Sequence, residues 1–298
     1  MPKTVLITGC GPSGIGTALA TEFHLRGHRV FATGLSEPLL AHFGDLHIET
    51  LVLDVTSSTS IEAAAAHVAR ATGGRLDILV NNAGLMHIMP FADTDVEAAR
   101  RVLEVNVLGV FAVTKAFLPL LLAAAAAADN RGGGGGFGGL TGAGGPLVVN
   151  IGSVNEVFRP PFFGIYNASK AAVEALGGTI RAELAPLGIR VVTVKTGSVR
   201  TGLFDNAPRT VLPEKSLYQP VRDWVEKRRM LDGGHFMDAG DYAKKVVGEL
   251  LRPSVKHVIW QGGLTTAAWL LSWLGWEGIL DSTYIKGNQL DKIRKTIC

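Results

Sequence analysis

Cysteine is nearly absent, with only Cys10 and Cys298 in 298 residues. Two thiols at opposite ends form neither a disulfide framework nor a Cys/His ligand set, so no metal site is expected, and a reducing, cytoplasmic setting is. Charge is sparse too, at 18% of residues, with 29 Lys and Arg against 26 Asp and Glu. A net charge of +3 gives no basic field of the kind that holds nucleic acid, so no nucleic-acid partner is expected. No charged stretch precedes the apolar run Val5-Leu6-Ile7, so a secretory leader is not expected either. With 47% hydrophobic residues, the chain can bury a sizeable core.

What the chain does have is alternation. KTVLIT (3–8), RVFAT (29–33), IETLVLDV (48–55), LDILVN (76–81), PLVVNIGS (146–153) and IRVVTVK (189–195) are short, nearly continuous apolar runs, as strands covered on both faces are. Ile15, Ala18, Leu19 and Phe23 recur at helical spacing after the first run, and Ile61, Ala64, Ala65 and Val68 after the third. This β-α-β-α-β order predicts an α/β fold, a Rossmann-type doubly wound parallel sheet with right-handed crossovers. Ligands of such sheets bind beyond the carboxyl ends of the strands, where Gly9, Asp54, Asn81 and Ser153 fall.

Residues 120–145 pass from poly-alanine into poly-glycine, which predicts a long helix ending near Asp129 and a Gly-rich insertion loop over 129–145. Residues 197–237, with Pro208, Pro213 and Pro220, read as a substrate lid of loop and short helices. Residues 239–251 are helical in pattern and 255–260 strand-like. The stretch from Val258 to Trp276 lacks charge, but Gln261, Gly262, Gly263, Thr265, Thr266 and Ser272 argue against a membrane span. Trp269, Trp273 and Trp276 share one helical face, which packs on the body, lines the substrate pocket or lies in a membrane interface. One domain is therefore expected over 1–260, followed by an apolar, Trp-rich extension over 261–298.

The stretch TGCGPSGIG (8–16) supports two parses. Gly9, Gly11 and Gly14 make a G-x-G-x-x-G, whereas Gly9, Gly14 and Gly16 make a T-G-x-x-x-x-G-x-G. Either way the turn joins a strand to a helix, where glycine lets a pyrophosphate approach the backbone and the helix N-terminus favours the anion. Further on, YNASK (166–170) places Tyr166 and Lys170 on one helical face. A phenol with a pKa of about 10 shuttles protons poorly at neutral pH, and a nearby ammonium is expected to lower that value. Ser153, at the end of the preceding strand, is placed to reach the same small volume.

With the TG...GIG turn, Asp54-Val55, Asn81-Asn82-Ala83-Gly84, Asn106 in EVNVLG, Ser153, and Tyr166 with Lys170 all in order, residues 3–203 resemble the short-chain dehydrogenase/reductase (SDR) family. The four-residue spacer in the glycine turn, the VFAT strand and the Trp-rich tail look most like fungal NADPH-dependent 1-acyldihydroxyacetone-phosphate reductases and related ketoreductases. The resemblance implies that Tyr166 is the general acid, that Ser153 binds the carbonyl oxygen, and that Lys170 binds the nicotinamide ribose and depresses the tyrosine pKa. It makes Asn106 the holder of a water that links Lys170 to a proton relay. It assigns the cofactor groove to Gly9, Gly14, Ile15, Gly16, Asp54, Val55, Asn81, Ala83 and Gly84, with Val199 and Thr201 at the nicotinamide amide, and selects the parse through Gly16. It also implies a homo-oligomer, dimer or tetramer.

Three departures from the family pattern carry further expectations. Thr196-Gly197 replaces the usual Pro-Gly, so the backbone there is expected to be less rigid. The glycine turn is one residue longer, with Ser13 at its tip. Leu35 stands where the related reductases carry Arg, yet no acid precedes Glu37, and Thr33, Ser36 and Ser13 are candidate phosphate donors, so NADPH is favoured and NADH is the alternative. Phe162, Phe163, Phe204, Trp260 and the Trp-rich tail are expected around the pocket, implying an apolar, lipid-like or polyketide-like carbonyl substrate. The alternatives are a membrane-peripheral acyl-dihydroxyacetone-phosphate reductase and a non-catalytic NADP-binding sensor or scaffold.

Overall fold

In the computed structural model, residues 2–129, 144–203 and 207–293 are described. The glycine-rich loop expected over 129–145 falls almost wholly outside them, as do Phe204 and Cys298.

The strands are β1 (Thr4–Ile7), β2 (Arg29–Gly34), β3 (Glu49–Val52), β4 (Ile78–Asn81), β5 (Leu147–Ile151), β6 (Arg190–Thr196) and β7 (Val258–Gln261). They form one sheet in the order β3-β2-β1-β4-β5-β6-β7, and every neighbouring pair is parallel. The chain steps outward from β1 to β3, returns to β4, and then runs out to β7. That reversal between β1 and β4 opens a crevice at the carboxyl edge, where an open α/β sheet binds its ligand.

Two apolar layers explain why the strands read as unbroken hydrophobic runs. On one face Val5, Ile7, Val30, Ala32, Val80 and Val149 pack against Leu19 and Phe23 of α1 (Ile15–Leu25), and against Tyr242, Val246 and Val247 of the helix Ala239–Leu250. On the other, Leu6, Phe31, Leu79 and Val148 meet Ile61 and Val68 of α3 (Ser58–Thr72) and Val113, Phe117 and Leu121 of α5 (Gly109–Asp129). Between α1 and α3 lies the single turn α2 (Glu37–Leu40). The helix α4 (Val96–Leu103) runs into α5 through a π-helical turn over Glu104–Leu108. By length and composition the combined helix from Val96 to Ala128 could cross a membrane, but its Val113, Phe117 and Leu121 lie beneath the sheet.

After β5 come α6 (Asn155–Phe158) and α7 (Gly164–Leu184). The remaining helices are α8 (Arg222–Glu226), α9 (Ala239–Leu250), α10 (Thr265–Leu274) and α11 (Asp281–Gly287). The described part of 197–237 is loop with short helical turns, as its prolines predicted. The C-terminal extension divides in two. Of α10 only Ala268 is buried, while Trp269, Trp273 and Trp276 are 46%, 75% and 71% exposed. The tryptophan face therefore neither packs on the body nor lines the pocket.

Candidate active site at the carboxyl edge of the sheet

The glycine turn shows which parse is physical. Gly9 has φ +73, and a Cβ there would stand 2.7 Å from Cα of Ala83. A Cβ on Gly16 would meet both Gly9 O and Asn82 Nδ2 at 2.6 Å, and one on Gly14 would meet Gly11 O at 3.0 Å. A Cβ on Gly11 would meet nothing within 4 Å. The constrained glycines are 9, 14 and 16, and the match through Gly11 is incidental.

Two residues that sequence reasoning passed over hold this turn. The Thr8 hydroxyl accepts from the backbone N–H groups of Asn82 and Ala83, both at 3.0 Å. Asn82 Nδ2 donates to Thr8 O at 2.8 Å and Gly9 O at 2.9 Å. Thr8 opens the motif and Asn82 sits inside the NNAG run, so both were in view as pattern and unassigned as parts. Next to them Thr8, Val55, Asn81, Ala83, Val105, Gly109 and Val110 line a small cavity. Asn81 Nδ2 donates to Thr114 Oγ1 and Asn150 Oδ1, while its Oδ1 is buried without a partner. Asp54 accepts from the backbone N–H and hydroxyl of Thr56, ordering the turn that presents Val55. A close-packed glycine cradle at a helix N-terminus, with an orphan buried acceptor on Asn81 beside it, fits the pyrophosphate of a dinucleotide.

The expected phosphate donors divide. Thr33 is 0% exposed, and its hydroxyl donates to Ile7 O at 3.1 Å, so it ties β2 to β1 and is spent. Ser36 stands at the N-terminus of α2 without a side-chain capping bond. Ser13 adopts a left-handed φ of +56, and its carbonyl accepts from Gly202 N at 3.4 Å. The extra residue of the turn thus reaches across to the start of the lid.

The chemical centre lies on α7. Tyr166 and Lys170 project from the same side, with Lys170 Nζ 5.7 Å from the Tyr166 ring centroid. Burial pushes the Tyr166 phenol up to about 12, and its hydrogen bond with Ser153 only partly offsets this. The expected depression by Lys170 is therefore not found. That ammonium stands 5.7 Å from the ring centroid and donates to Ile151 O at 2.8 Å. Burial also brings Lys170 down to about 8. Ser153 Oγ accepts from Asn155 N at 3.2 Å, which fixes the hydroxyl where β5 ends.

Asn106 is buried in the π-helical turn. Its side chain bonds both Leu85 N (2.7 Å) and Leu85 O (2.9 Å), and donates to Ser169 Oγ at 2.9 Å. The side chain thereby braces the loop that follows Gly84 against α7.

Thr196 is held by contacts of its own. Its hydroxyl lies 2.7 Å from Tyr242 OH and its carbonyl accepts from Val154 N at 3.0 Å. Gly197 then lies so close to Gly262 and Gly263 that no side chain fits. A buried hydroxyl pair and a glycine seam replace the rigidity of proline. Val199 follows, buried in the core layer and bridged to Met237, and the Thr201 hydroxyl accepts from Leu203 N at 3.3 Å.

On the substrate side Tyr166 belongs to an apolar cluster with Met86, Ile88, Phe162, Phe163, Leu212, Val221 and Val225. Phe162 and Phe163 are where they were expected. Trp260 is not: its ring lies 4.8 Å beneath Lys195 Nζ, which pairs with Glu156 and Glu174.

A doubly wound sheet with a glycine cradle, a buried Tyr-Ser pair and a lysine on the same helix face defines a dinucleotide-dependent oxidoreductase. Residues 3–211 match the short chain dehydrogenase family. The chain is 38% identical over 286 residues, covering 95% of each protein, to the short-chain dehydrogenase ptmH of Penicillium ochrochloron. It superposes on a short-chain dehydrogenase from Streptomyces avermitilis with a TM-score of 0.73, at 28% identity and 100% coverage of both chains. A short chain dehydrogenase/reductase from Burkholderia phymatum, solved in complex with NAD, gives 0.70 at 26% identity and 91% coverage of both. The protein belongs to the short-chain dehydrogenases, oxidoreductases of the CH-OH/C=O pair that use a nicotinamide cofactor. The narrower likeness to 1-acyldihydroxyacetone-phosphate reductases gains no support from these relatives.

Proposed function

We propose that the protein is an NADPH-dependent carbonyl reductase acting on an apolar, polyketide-like ketone or aldehyde. The observation that carries this reading is the Tyr166 hydroxyl, hydrogen-bonded to Ser153 inside an apolar cluster at the sheet edge. Reduced nicotinamide supplies the hydride. Tyr166 donates its proton to the carbonyl oxygen, and Ser153 donates a hydrogen bond to that oxygen as charge builds. Lys170, freed from Ile151 O, binds the ribose hydroxyls, and its charge beside the phenol lowers the cost of the phenolate left behind. Gly9, Ser13, Gly14, Ile15 and Gly16 cradle the pyrophosphate, Val55, Asn81, Ala83 and Gly84 line the adenosine side, and Val199 and Thr201 face the nicotinamide amide. NADPH is preferred because no acid precedes Glu37 at the end of β2, and Ser36 is free to donate to a 2'-phosphate. The Burkholderia phymatum neighbour holds NAD, so the preference needs its own test. A panel of ketones with NADPH and NADH, followed by nicotinamide absorbance, supplies it. Faster turnover with NADPH supports the reading, and equal or faster turnover with NADH overturns the cofactor assignment.

A second reading, membrane-peripheral action, is favoured by the solvent-facing Trp269, Trp273 and Trp276, since tryptophan suits a bilayer interface. Liposome flotation of the full chain against a chain cut before Leu264 decides it. Equal flotation of both removes a membrane role for this tail.

A further inference from the structure

The apolar cluster around Tyr166 draws on a stretch that sequence reasoning did not connect with it. Leu290 and Ile293, near the C-terminus, pack against the same cluster as Phe162 and the lid residues Leu212, Val221 and Val225. Their placement is built. The Tyr284 hydroxyl of α11 donates to Phe158 O, at the end of the helix that follows Ser153. Asn288 Nδ2 donates to Tyr284 O at 3.0 Å, and Asn288 Oδ1 accepts from Trp224 Nε1 on the lid at 3.4 Å. Gln289 then takes a left-handed φ of +60, and Leu290 N donates to Ile285 O at 2.8 Å. A non-glycine residue rarely adopts that conformation unless its surroundings hold it there. The reversal at Gln289 brings Leu290 down on the cluster.

Tyr166 is 6% exposed, so a carbonyl oxygen reaches its hydroxyl only where this cluster parts. Its walls are not equally tied. The inner wall is held by backbone, with Met89 N donating to Phe162 O at 2.8 Å. The lid is fastened through Thr210 Oγ1 to Ile88 O at 2.8 Å and through Ser216 to Asp93. The C-terminal segment meets the lid through apolar contact and the long Trp224–Asn288 bond. The side chains that this wall contributes to the cluster, Leu290 and Ile293, are aliphatic.

We infer that residues 281–293 form the outer wall of the carbonyl-substrate site, and that Leu290 and Ile293 are specificity-determining residues that select a bulky apolar ketone over a compact one. This rests on the reductase reading above. Tyr166 and Ser153 take the carbonyl end, while Leu290 and Ile293 cover the apolar remainder. In an apolar pocket one methylene changes discrimination by about 10- to 200-fold, so two truncated side chains give a measurable effect.

The test is calorimetric binding of α-tetralone and of butanone to the NADP⁺-loaded full chain, with hydride transfer assayed in parallel. Leu290→Ala with Ile293→Ala is expected to weaken α-tetralone binding by about ten-fold or more, with butanone and NADP⁺ affinities unchanged. Leu290→Met with Ile293→Val restores the α-tetralone affinity. The inference is overturned if the alanine pair leaves α-tetralone binding unchanged, if NADP⁺ affinity falls with it, if the conservative pair fails to restore it, or if the wild-type chain does not bind α-tetralone. Wild-type protein that binds ketone yet transfers no hydride overturns the reductase reading instead, and the binding comparison still decides the wall.

Discussion

The two halves of the cleft are made from different materials. The cofactor half is backbone: Gly9 and Gly16, which have no room for a Cβ, Gly14, where one would be tight, a helix N-terminus, and main-chain groups clamped by Thr8 and Asn82. The substrate half is side chain: aliphatic and aromatic groups from the loop after β4, the start of α7, the lid and the C-terminal segment, meeting at Tyr166. The first tolerates almost no change because backbone cannot move aside. The second can change its residues, keep its apolar character and accept a different ketone.

The sharpest way to break this contrast is a second methyl group in the turn. Gly16→Ala puts a Cβ 2.6 Å from Gly9 O and Asn82 Nδ2, whereas Gly11→Ala meets open space. In a fluorescence titration with NADPH, Gly16→Ala is expected to abolish measurable binding although alanine is the better helix former, and Gly11→Ala to bind as wild type. Equal behaviour of the two would remove the steric account of the turn.

Lys170 couples the halves through protonation. Burial holds its free-protein pKa down to about 8, and under the proposed function the ammonium form is the one that binds the ribose. NADP⁺ affinity should therefore be level below about pH 8 and fall by up to about ten-fold per unit above it, since binding then includes uptake of a proton. Titrations between pH 6 and 10 check this. Lys170→Met should bind more weakly throughout and lose the slope. The same shift has a stability sign: between about 8 and 10.5 the unfolded chain holds the lysine proton more tightly, so this group adds stability as pH rises across that window.

A smaller effect is expected behind the nicotinamide loop. Tyr242→Phe leaves the buried Thr196 hydroxyl without its main partner and should cost about 1–3 kcal/mol in denaturant unfolding. Adding Thr196→Val should recover part of that loss, because both polar groups are then gone. A double variant as unstable as the sum of the singles would deny the pair its role in replacing proline.

The same contrast explains what was legible. The sheet and its order of elements follow from period and spacing, because backbone-built features leave patterns in sequence, whereas the glycine parse and the roles of Ser153, Tyr166 and Lys170 came from the family resemblance. Thr33 was misjudged because a hydroxyl at a strand end reads alike whether it meets a ligand or a neighbouring carbonyl. The setting of the tryptophan stripe stayed open between body, pocket and membrane interface because a helical stripe does not say which way it faces. Tyr166 was expected to be acidified by its neighbour, but burial raises its phenol, and the Lys170 ammonium is bonded to Ile151 O. Leu290 and Ile293 carry no motif. Their role depends on one left-handed residue, Gln289, and on contacts with segments far away in the chain.

The central claim, that Tyr166 delivers the proton while hydride passes to a carbonyl carbon, is tested most directly with NADPH deuterated at the transferred position and an apolar aryl ketone. Wild-type protein should give an alcohol one mass unit heavier, and Tyr166→Phe should bind NADPH normally while turning over about 10²- to 10⁴-fold more slowly. An alcohol without deuterium, or a phenylalanine variant as fast as wild type, would contradict it.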